Sequence, residues 1–145
     1  MSAESVLTHV VVDVSVAVKW IVAEENTSAA VALRDQWTAD KTLLCAPDFL
    51  LIELHNILWK KLLRGLLSAD DPLVAQGPTF GLTLNWSSSQ PLLSIAFLLA
   101  IQYKITIYDA LYAALAQSLG APLYTADQTL ISKLQGMSIP VRAIS

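Results

Sequence analysis

Four acidic residues stand at points in the chain where an α/β fold would bring them to one edge of its sheet. Asp13 ends an apolar run, Glu53 lies within a helical pattern, Asp109 opens a second helical pattern, and Asp127 follows another apolar run. Carboxylates that converge without cationic neighbours repel one another, and they usually persist together because a metal ion neutralises them. Their oxygen ligands suit Mg²⁺, or alternatively Mn²⁺. The sequence therefore predicts a divalent-metal site.

Each of these acids also has an ordinary structural explanation. Aspartate is a favoured N-cap, worth about 1 kcal/mol, so Asp13, Asp109 and Asp127 can each simply cap the helix that follows. Glu53 can be a solvated residue on its helix, although it lies at the border of the apolar face. Taken singly, capping is the better explanation of Asp109 and Asp127, but the four acids together carry more weight than each does alone.

Short apolar runs alternate with helical patterns along the whole chain. The predicted strands cover residues 10–12, 43–45, 83–84, 123–125 and 141–144, the last as an edge strand. The predicted helices start at Ser15, run from an Asn26 N-cap to Trp37, from Asp48 to Arg64, from about Pro72 to Gly77 or Gly81, from Pro91 to Tyr103, from Asp109 to Leu119 and from Leu130 to Leu134. This alternation predicts a parallel sheet between helical layers. In such sheets ligands bind beyond the carboxyl ends of the strands, where Asp13 and Asp127 fall.

The bulk composition predicts one domain, spanning residues 1–145, with no membrane span. Hydrophobic residues make up 54% of the chain, yet the most apolar segment, 95–101, is far shorter than the roughly 20 residues that cross a bilayer. The first residues lack the basic start of a secretion signal, so we expect a cytoplasmic protein. Because monomers seldom expose large apolar patches, the excess of apolar residues predicts a homodimer or another bound partner.

Charge and cysteine content narrow the chemistry further. The net charge is −3, and without the four acids the remainder of the chain would carry +1, so a nucleic-acid substrate is compatible with the charge. The single cysteine, Cys45, has apolar neighbours and is predicted to be buried. Since His9 and His55 are far apart and there is no cysteine cluster, a zinc site is not expected.

Three polar residues lie close in sequence to the acids. Ser15 follows Asp13 by two positions, and Thr125 precedes Asp127 by two, so their hydroxyls can orient a carboxylate or a metal-bound water. Helix capping or turn formation is an equally simple role for Ser15. Asn56, one helical turn after Glu53, can support that carboxylate, although a surface amide is the simpler interpretation.

Three segments of the chain carry a resemblance to a known family. They are Val11-Val12-Asp13-Val14-Ser15-Val16-Ala17-Val18-Lys19-Trp20, Tyr108-Asp109-Ala110-Leu111-Tyr112-Ala113-Ala114-Leu115-Ala116 and Leu123-Tyr124-Thr125-Ala126-Asp127. In this order, with separations of 40, 56 and 18 residues between successive acids, they resemble PIN-domain proteins and most closely the VapC-type toxin ribonucleases of toxin-antitoxin pairs.

The resemblance implies a three-layer α/β/α sandwich with a parallel sheet of about five strands. It assigns catalysis and metal binding to Asp13, Glu53, Asp109 and Asp127, and places Ser15 and, less securely than the acids, Thr125 in the wall of the site. It also implies a homodimer and a cognate antitoxin, through which alone the protein would contact DNA.

The reaction implied is hydrolysis of an RNA phosphodiester with the help of one or two Mg²⁺ ions. A PIN-like binding module without activity is the non-enzymatic alternative. An aspartate-based phosphotransfer or phosphatase domain is less favoured, because Ser15 stands where such a phosphatase has a second aspartate. One departure concerns the substrate: Gln128 follows Asp127, where relatives often carry a basic residue, so RNA affinity is expected to be weak or to depend on the dimer.

Overall fold

The computed structural model of the protein describes residues 8–77 and 82–144. The strands are β1 (His9–Val12), β2 (Leu43–Pro47), β3 (Asn85–Ser87), β4 (Leu123–Thr125) and β5 (Val141–Ala143). The helices are α1 (Val14–Ala17), α2 (Thr27–Ala39), α3 (Phe49–Leu63), α4 (Pro72–Gln76), α5 (Leu93–Tyr103), α6 (Ile107–Leu119) and α7 (Gln128–Lys133). Single 3-10 turns extend α1 and precede α5.

The five strands form one parallel sheet in the order β3-β2-β1-β4-β5. On the central strand β1, Val11 packs into a core with α3, α5 and α6, whereas Val10 and Val12 pack into a second core with α2 on the opposite face. Successive strand residues point to opposite faces, so a strand covered on both sides must be apolar throughout, as β1 is. The predicted three-layer α/β/α sandwich is confirmed.

Helix α6 lies at the centre of the larger core. Seven successive residues, Ala110 to Ala116, are buried there, and four of them are alanine. Small side chains allow the helix to approach the sheet closely, while Leu54 of α3 and its neighbours fill the space beside it. Each fully buried leucine contributes roughly 1.5–3 kcal/mol relative to an exposed one. The two helices that carry Glu53 and Asp109 are therefore fixed against the same face of the sheet.

The predicted strand at 83–84 is wrong. The strand covers Asn85–Ser87, where Asn85 pairs with Cys45 of β2. It is an edge strand with exposed, mostly polar residues, so it lacks the apolar pattern on which the prediction relied.

Several helix starts differ from the prediction by one or two residues, as where α7 begins at Gln128 rather than Leu130, and two of the expected caps also differ. Asn26 precedes α2 but has a left-handed backbone (φ 64°) and makes no capping bond through its side chain. Helix α6 begins before Asp109, at Ile107, because the Thr106 hydroxyl caps it by accepting the Asp109 N–H at 3.1 Å. Asp109 thus lies in the first turn of α6. The alternative end of the α4 prediction at Gly81 lies outside the described residues.

None of the described helices is individually long and apolar enough to span a bilayer. Gln90–Tyr103 and Ile107–Leu119 meet the length and composition test only when taken together, and they are bent by 112° relative to one another.

Candidate active site

Asp13 lies at the carboxyl end of β1, beside β4. Its backbone N–H donates to the carbonyl of Tyr124 at 3.2 Å, and only 5% of the residue is exposed. Its Oδ1 accepts the N–H groups of Ser15 (3.0 Å) and Val16 (3.3 Å) and the Ser15 hydroxyl (2.5 Å). Asp13 therefore does cap α1. These bonds all use Oδ1, so capping does not exclude a further role for the carboxylate.

The Ser15 and Thr125 hydroxyls connect the ends of β1 and β4. Their oxygens are 3.3 Å apart, and Ser15 Oγ also accepts the N–H of Ala126 at 2.9 Å. Thr125 is fully buried, and its Oγ1 accepts the N–H of Asp127 at 3.0 Å. These bonds hold the Asp13 carboxyl and the backbone of Asp127 in one network.

Asp109 and Asp127 line a cleft of about 250 Å³ that also contains Lys104 and Lys133. Asp127 caps α7 by accepting the N–H groups of Thr129 at 2.9 Å and Leu130 at 3.1 Å. The cleft is open to solvent and carries both signs of charge. Acidic and basic side chains therefore face the same cleft.

Glu53 reaches the site from α3, where it is partly buried. Its Oε1 accepts the hydroxyl of Tyr112, a residue of α6 that is 1% exposed, at 2.5 Å. Tyr112 was not among the predicted site residues. The sequence did contain an indication of Tyr112, because this residue follows Asp109 by three positions and so lies on the same side of α6.

Burial raises the pKa of Asp13 to about 6. Hydrogen bonds from Ser15, Thr125 and Val16 act in the opposite direction, and the charge of Asp109 raises the pKa further. Burial thus disfavours the charged form of the Asp13 carboxyl more than the hydrogen bonds favour that form. Protein cations do not relieve it, since no lysine or arginine is a cause of this shift.

Glu53 and Asp109 also have raised pKa values, each first through burial and then through another acid. Asp109 raises the pKa of Glu53, and Asp127 raises the pKa of Asp109. Opposing effects come from the Tyr112 hydrogen bond on Glu53, and from a Thr106 hydrogen bond and the Lys133 charge on Asp109. Asp109 therefore lies within electrostatic range of each of the other three acids.

Residues 10–135 match the family model of the PIN domain. The chain belongs to the PIN-domain family. Ribonuclease VapC3 from Pyrobaculum aerophilum is 34% identical over 132 residues, which cover 90% of this chain and 98% of that protein.

Two solved structures share the fold. VapBC2 from Rickettsia felis, bound to a DNA fragment from their promoter, has a TM-score of 0.62 at 14% identity and covers 94% of this chain and 98% of its own. A toxin-antitoxin complex from Klebsiella pneumoniae has a TM-score of 0.59 at 17% identity and covers 91% and 99%.

The acidic residues of this PIN domain offer the oxygen ligands that a hard cation prefers. The distances between them limit how many can contact one ion directly. All four acids offer oxygen, the ligand atom of Mg²⁺ and Mn²⁺. Within residues 8–77 and 82–144, no group of three or more His, Cys, Asp or Glu side chains is arranged to hold a metal ion. Mg²⁺ typically keeps several waters and binds one or two carboxylates. Direct binding of one ion by one or two of these acids is compatible with this arrangement.

The remaining sequence candidates lie apart from the acids. Asn56 is exposed on α3 and makes no hydrogen bond to Glu53 in the described part of the chain. Cys45 is buried in β2, as predicted, and its thiol approaches the carbonyl of Leu43 at 3.7 Å.

Proposed function

We propose that this PIN domain is a Mg²⁺- or Mn²⁺-dependent endoribonuclease and the toxin of a type II toxin-antitoxin pair. The observation that carries the proposal is the electrostatic grouping of Asp13, Glu53, Asp109 and Asp127, in which burial and mutual repulsion raise three pKa values. A divalent cation removes that repulsion. The likeness to Ribonuclease VapC3, at 34% identity, supports RNA as the substrate.

In this proposal Asp13 and Asp109 bind the ion directly, and Glu53 and Asp127 complete its shell or orient water. The bound ion would supply positive charge to the scissile phosphate and lower the pKa of a water molecule. Ser15 fixes the Asp13 carboxyl through the 2.5 Å hydrogen bond, and Thr125 holds the backbone of Asp127. The Asp13 carboxyl and the Asp127 backbone are thus held by their own surroundings before any ion binds, which lowers the cost of assembling the site.

The purified protein is expected to cut single-stranded RNA when Mg²⁺ or Mn²⁺ is present and to stop when EDTA is added. Gel analysis of a labelled RNA measures cleavage, and calorimetric titration with Mn²⁺ measures metal binding. Asp109→Asn should lose both, because Asp109 interacts with all of the other acids. Cleavage that survives EDTA would contradict the metal dependence, and a protein that binds no Mn²⁺ would be better explained as a binding module.

Lys104 and Lys133 supply the positive charge that an RNA backbone requires near the acids. Both line the cleft with Asp109 and Asp127, and the Lys133 ammonium donates to the Lys104 carbonyl at 3.4 Å. The sequence predicted an RNA affinity that is weak or depends on the dimer, because Gln128 stands where relatives often carry a basic residue. The structure places two lysines, from α7 and from the loop before α6, beside the same acids, and we propose that they contact phosphate.

Replacing Lys104 and Lys133 with glutamine is expected to weaken RNA binding uniformly across sequences and to reduce its salt dependence by about one unit of slope per lysine. Fluorescence anisotropy with labelled RNA at several salt concentrations measures both quantities, and the inactive Asp109→Asn background prevents cleavage. Lys41→Gln, at the end of α2, is the matched control and should leave binding unchanged. If the variant lacking Lys104 and Lys133 binds RNA as tightly as the Asp109→Asn parent and the Lys41→Gln control do, the two lysines are excluded from the RNA site.

Exposed apolar side chains support the predicted partners. On α5 and α3 a group of large hydrophobic residues is 40–68% exposed, namely Ile52, Trp59, Leu63, Leu93, Ile95, Phe97, Leu98 and Ile101. We propose that a second copy of the chain and a cognate antitoxin cover them, and that DNA is contacted only through the antitoxin in the cytoplasm. Sedimentation of the isolated protein should give the mass of a dimer, and a monomer at micromolar concentration would contradict this.

A further inference from the structure

We infer that Tyr112 is a positioning residue that holds Glu53 in the orientation required for metal binding. The inference rests on the proposed function, because it assumes that the acids bind a divalent ion. It concerns a residue that the sequence did not select and that makes no contact with solvent, since Tyr112 is among the largest fully buried side chains of the protein.

Helices α3 and α6 meet through two pairs of residues with the same separation in sequence. Phe49 and Tyr108, at the starts of the two helices, stack with ring centroids 5.1 Å apart and planes inclined by 9°. One turn further along both helices, Tyr112 donates its hydroxyl to Glu53. Both pairs are 59 residues apart, so the helices run side by side in the same direction. The stacked pair and the hydrogen bond thus join the same two helices one turn apart.

The hydrogen bond uses one of the two carboxylate oxygens of Glu53. Oε1 accepts the Tyr112 hydroxyl, and no other hydrogen bond to this carboxylate is present among the described residues. A glutamate side chain that is only partly buried otherwise has several accessible rotamers. Anchoring Oε1 therefore restricts the rotamers of Glu53 and leaves Oε2 without a hydrogen bond among the described residues.

The surroundings of Tyr112 keep its hydroxyl a donor. Burial and the charges of Glu53, Asp13 and Asp109 all raise the pKa of Tyr112. A phenol that stays protonated at neutral pH keeps the proton that it donates, and its hydrogen bond to an ionised carboxylate is stronger than one between neutral groups. Supporting residues of this kind typically change metal affinity by about 10- to 100-fold when they are removed.

Tyr112→Phe removes the hydroxyl and keeps the buried ring, so the fold should persist. The dissociation constant for Mn²⁺, measured by electron paramagnetic resonance of the free ion, is expected to rise about 10-fold. The matched control is Tyr124→Phe, because Tyr124 packs edge-on against Trp37 on the other face of the sheet and its hydroxyl makes no described hydrogen bond. That variant should bind Mn²⁺ as the wild type does.

A double-mutant cycle with Glu53→Gln separates positioning from general packing. If Tyr112 acts through Glu53, then Tyr112→Phe has no further effect on Mn²⁺ binding in the Glu53→Gln background. An unchanged dissociation constant in the single variant, or an equal loss in both backgrounds, would overturn the inference while leaving the proposed function intact. Wild-type protein that binds no Mn²⁺ would overturn the proposed function, and this inference with it.

A second variant approaches the same bond from the other side. Glu53→Asp keeps the charge but shortens the side chain by one methylene, so its carboxylate no longer reaches the Tyr112 hydroxyl. We expect a comparable loss of Mn²⁺ affinity in this variant, which is informative even if Tyr112→Phe proves too unstable to purify. Wild-type affinity in Glu53→Asp would count against the positioning role.

Discussion

Asp13→Asn is expected to reduce metal-dependent RNA cleavage by more than about 100-fold while leaving the fold intact. The substitution removes the charge that would bind the ion, but asparagine retains an Oδ1 that can accept the Ser15 hydroxyl and the two backbone N–H groups that cap α1. The shape of the side chain is also nearly unchanged. Loss of activity would therefore report the charge, since the local structure is preserved.

Initial cleavage rates at saturating Mn²⁺, compared with circular dichroism of the same samples, measure this effect. Asp70→Asn is a suitable control because Asp70 is exposed before α4, far from the acids in the chain, and should leave the rate unchanged. Cleavage by Asp13→Asn at the wild-type rate would remove Asp13 from the catalytic site and would point to a contaminating nuclease or to a different site.

The metal-free protein is expected to lose stability as the pH rises from about 4 to above 6. The ordinary pKa of the Asp13 carboxyl is 3.8 and its folded value is about 6, so between these values the folded state binds a proton that the unfolded state has released. Stability must then fall as the pH rises, because the buried carboxyl has to ionise. The full shift corresponds to a cost of at most about 3 kcal/mol at pH 7.

Urea unfolding at pH 4.5, 5.5, 6.5 and 7.5 in EDTA measures this dependence. Asp13→Asn should flatten the curve, and the slope is a cleaner readout than the absolute stability, since the new amide can lose hydrogen bonds of its own. Burial also raises the pKa values of Glu53 and Asp109, so a smaller slope of the same sign should remain. Identical slopes in the wild type and Asp13→Asn would show that Asp13 is not the buried titrating group.

Saturating Mn²⁺ should restore the stability that ionisation of Asp13 costs. A ligand that binds the folded state alone stabilises it by mass action, and an ion that requires ionised carboxylates binds more tightly as the pH rises. The stability of the protein with Mn²⁺ should consequently rise with pH over the range in which that of the metal-free protein falls.

Local spacing was sufficient to predict most elements and the general position of the acids. The buried strand β1 was recognisable because a strand covered on both faces needs consecutive apolar residues, and Asp13 follows it directly. The edge strand β3 was misplaced for the converse reason, since its exposed residues carry no apolar pattern. Asp109 was misread as the start of α6 because aspartate and threonine are both good caps, and only the backbone geometry shows that Thr106 takes that position.

The sequence by itself determined the fold class, the central strand and the residue types at the strand ends, because each depends on neighbours in the chain. Only the tertiary structure decided which distant groups meet. Tyr112 reaches Glu53 across 59 residues, and Lys104 and Lys133 share a cleft across 29. Such contacts depend on how two helices settle on one face of the sheet. Hydrophobic period fixes which side of a helix is buried, but it does not fix which side chain of a neighbouring helix lies opposite.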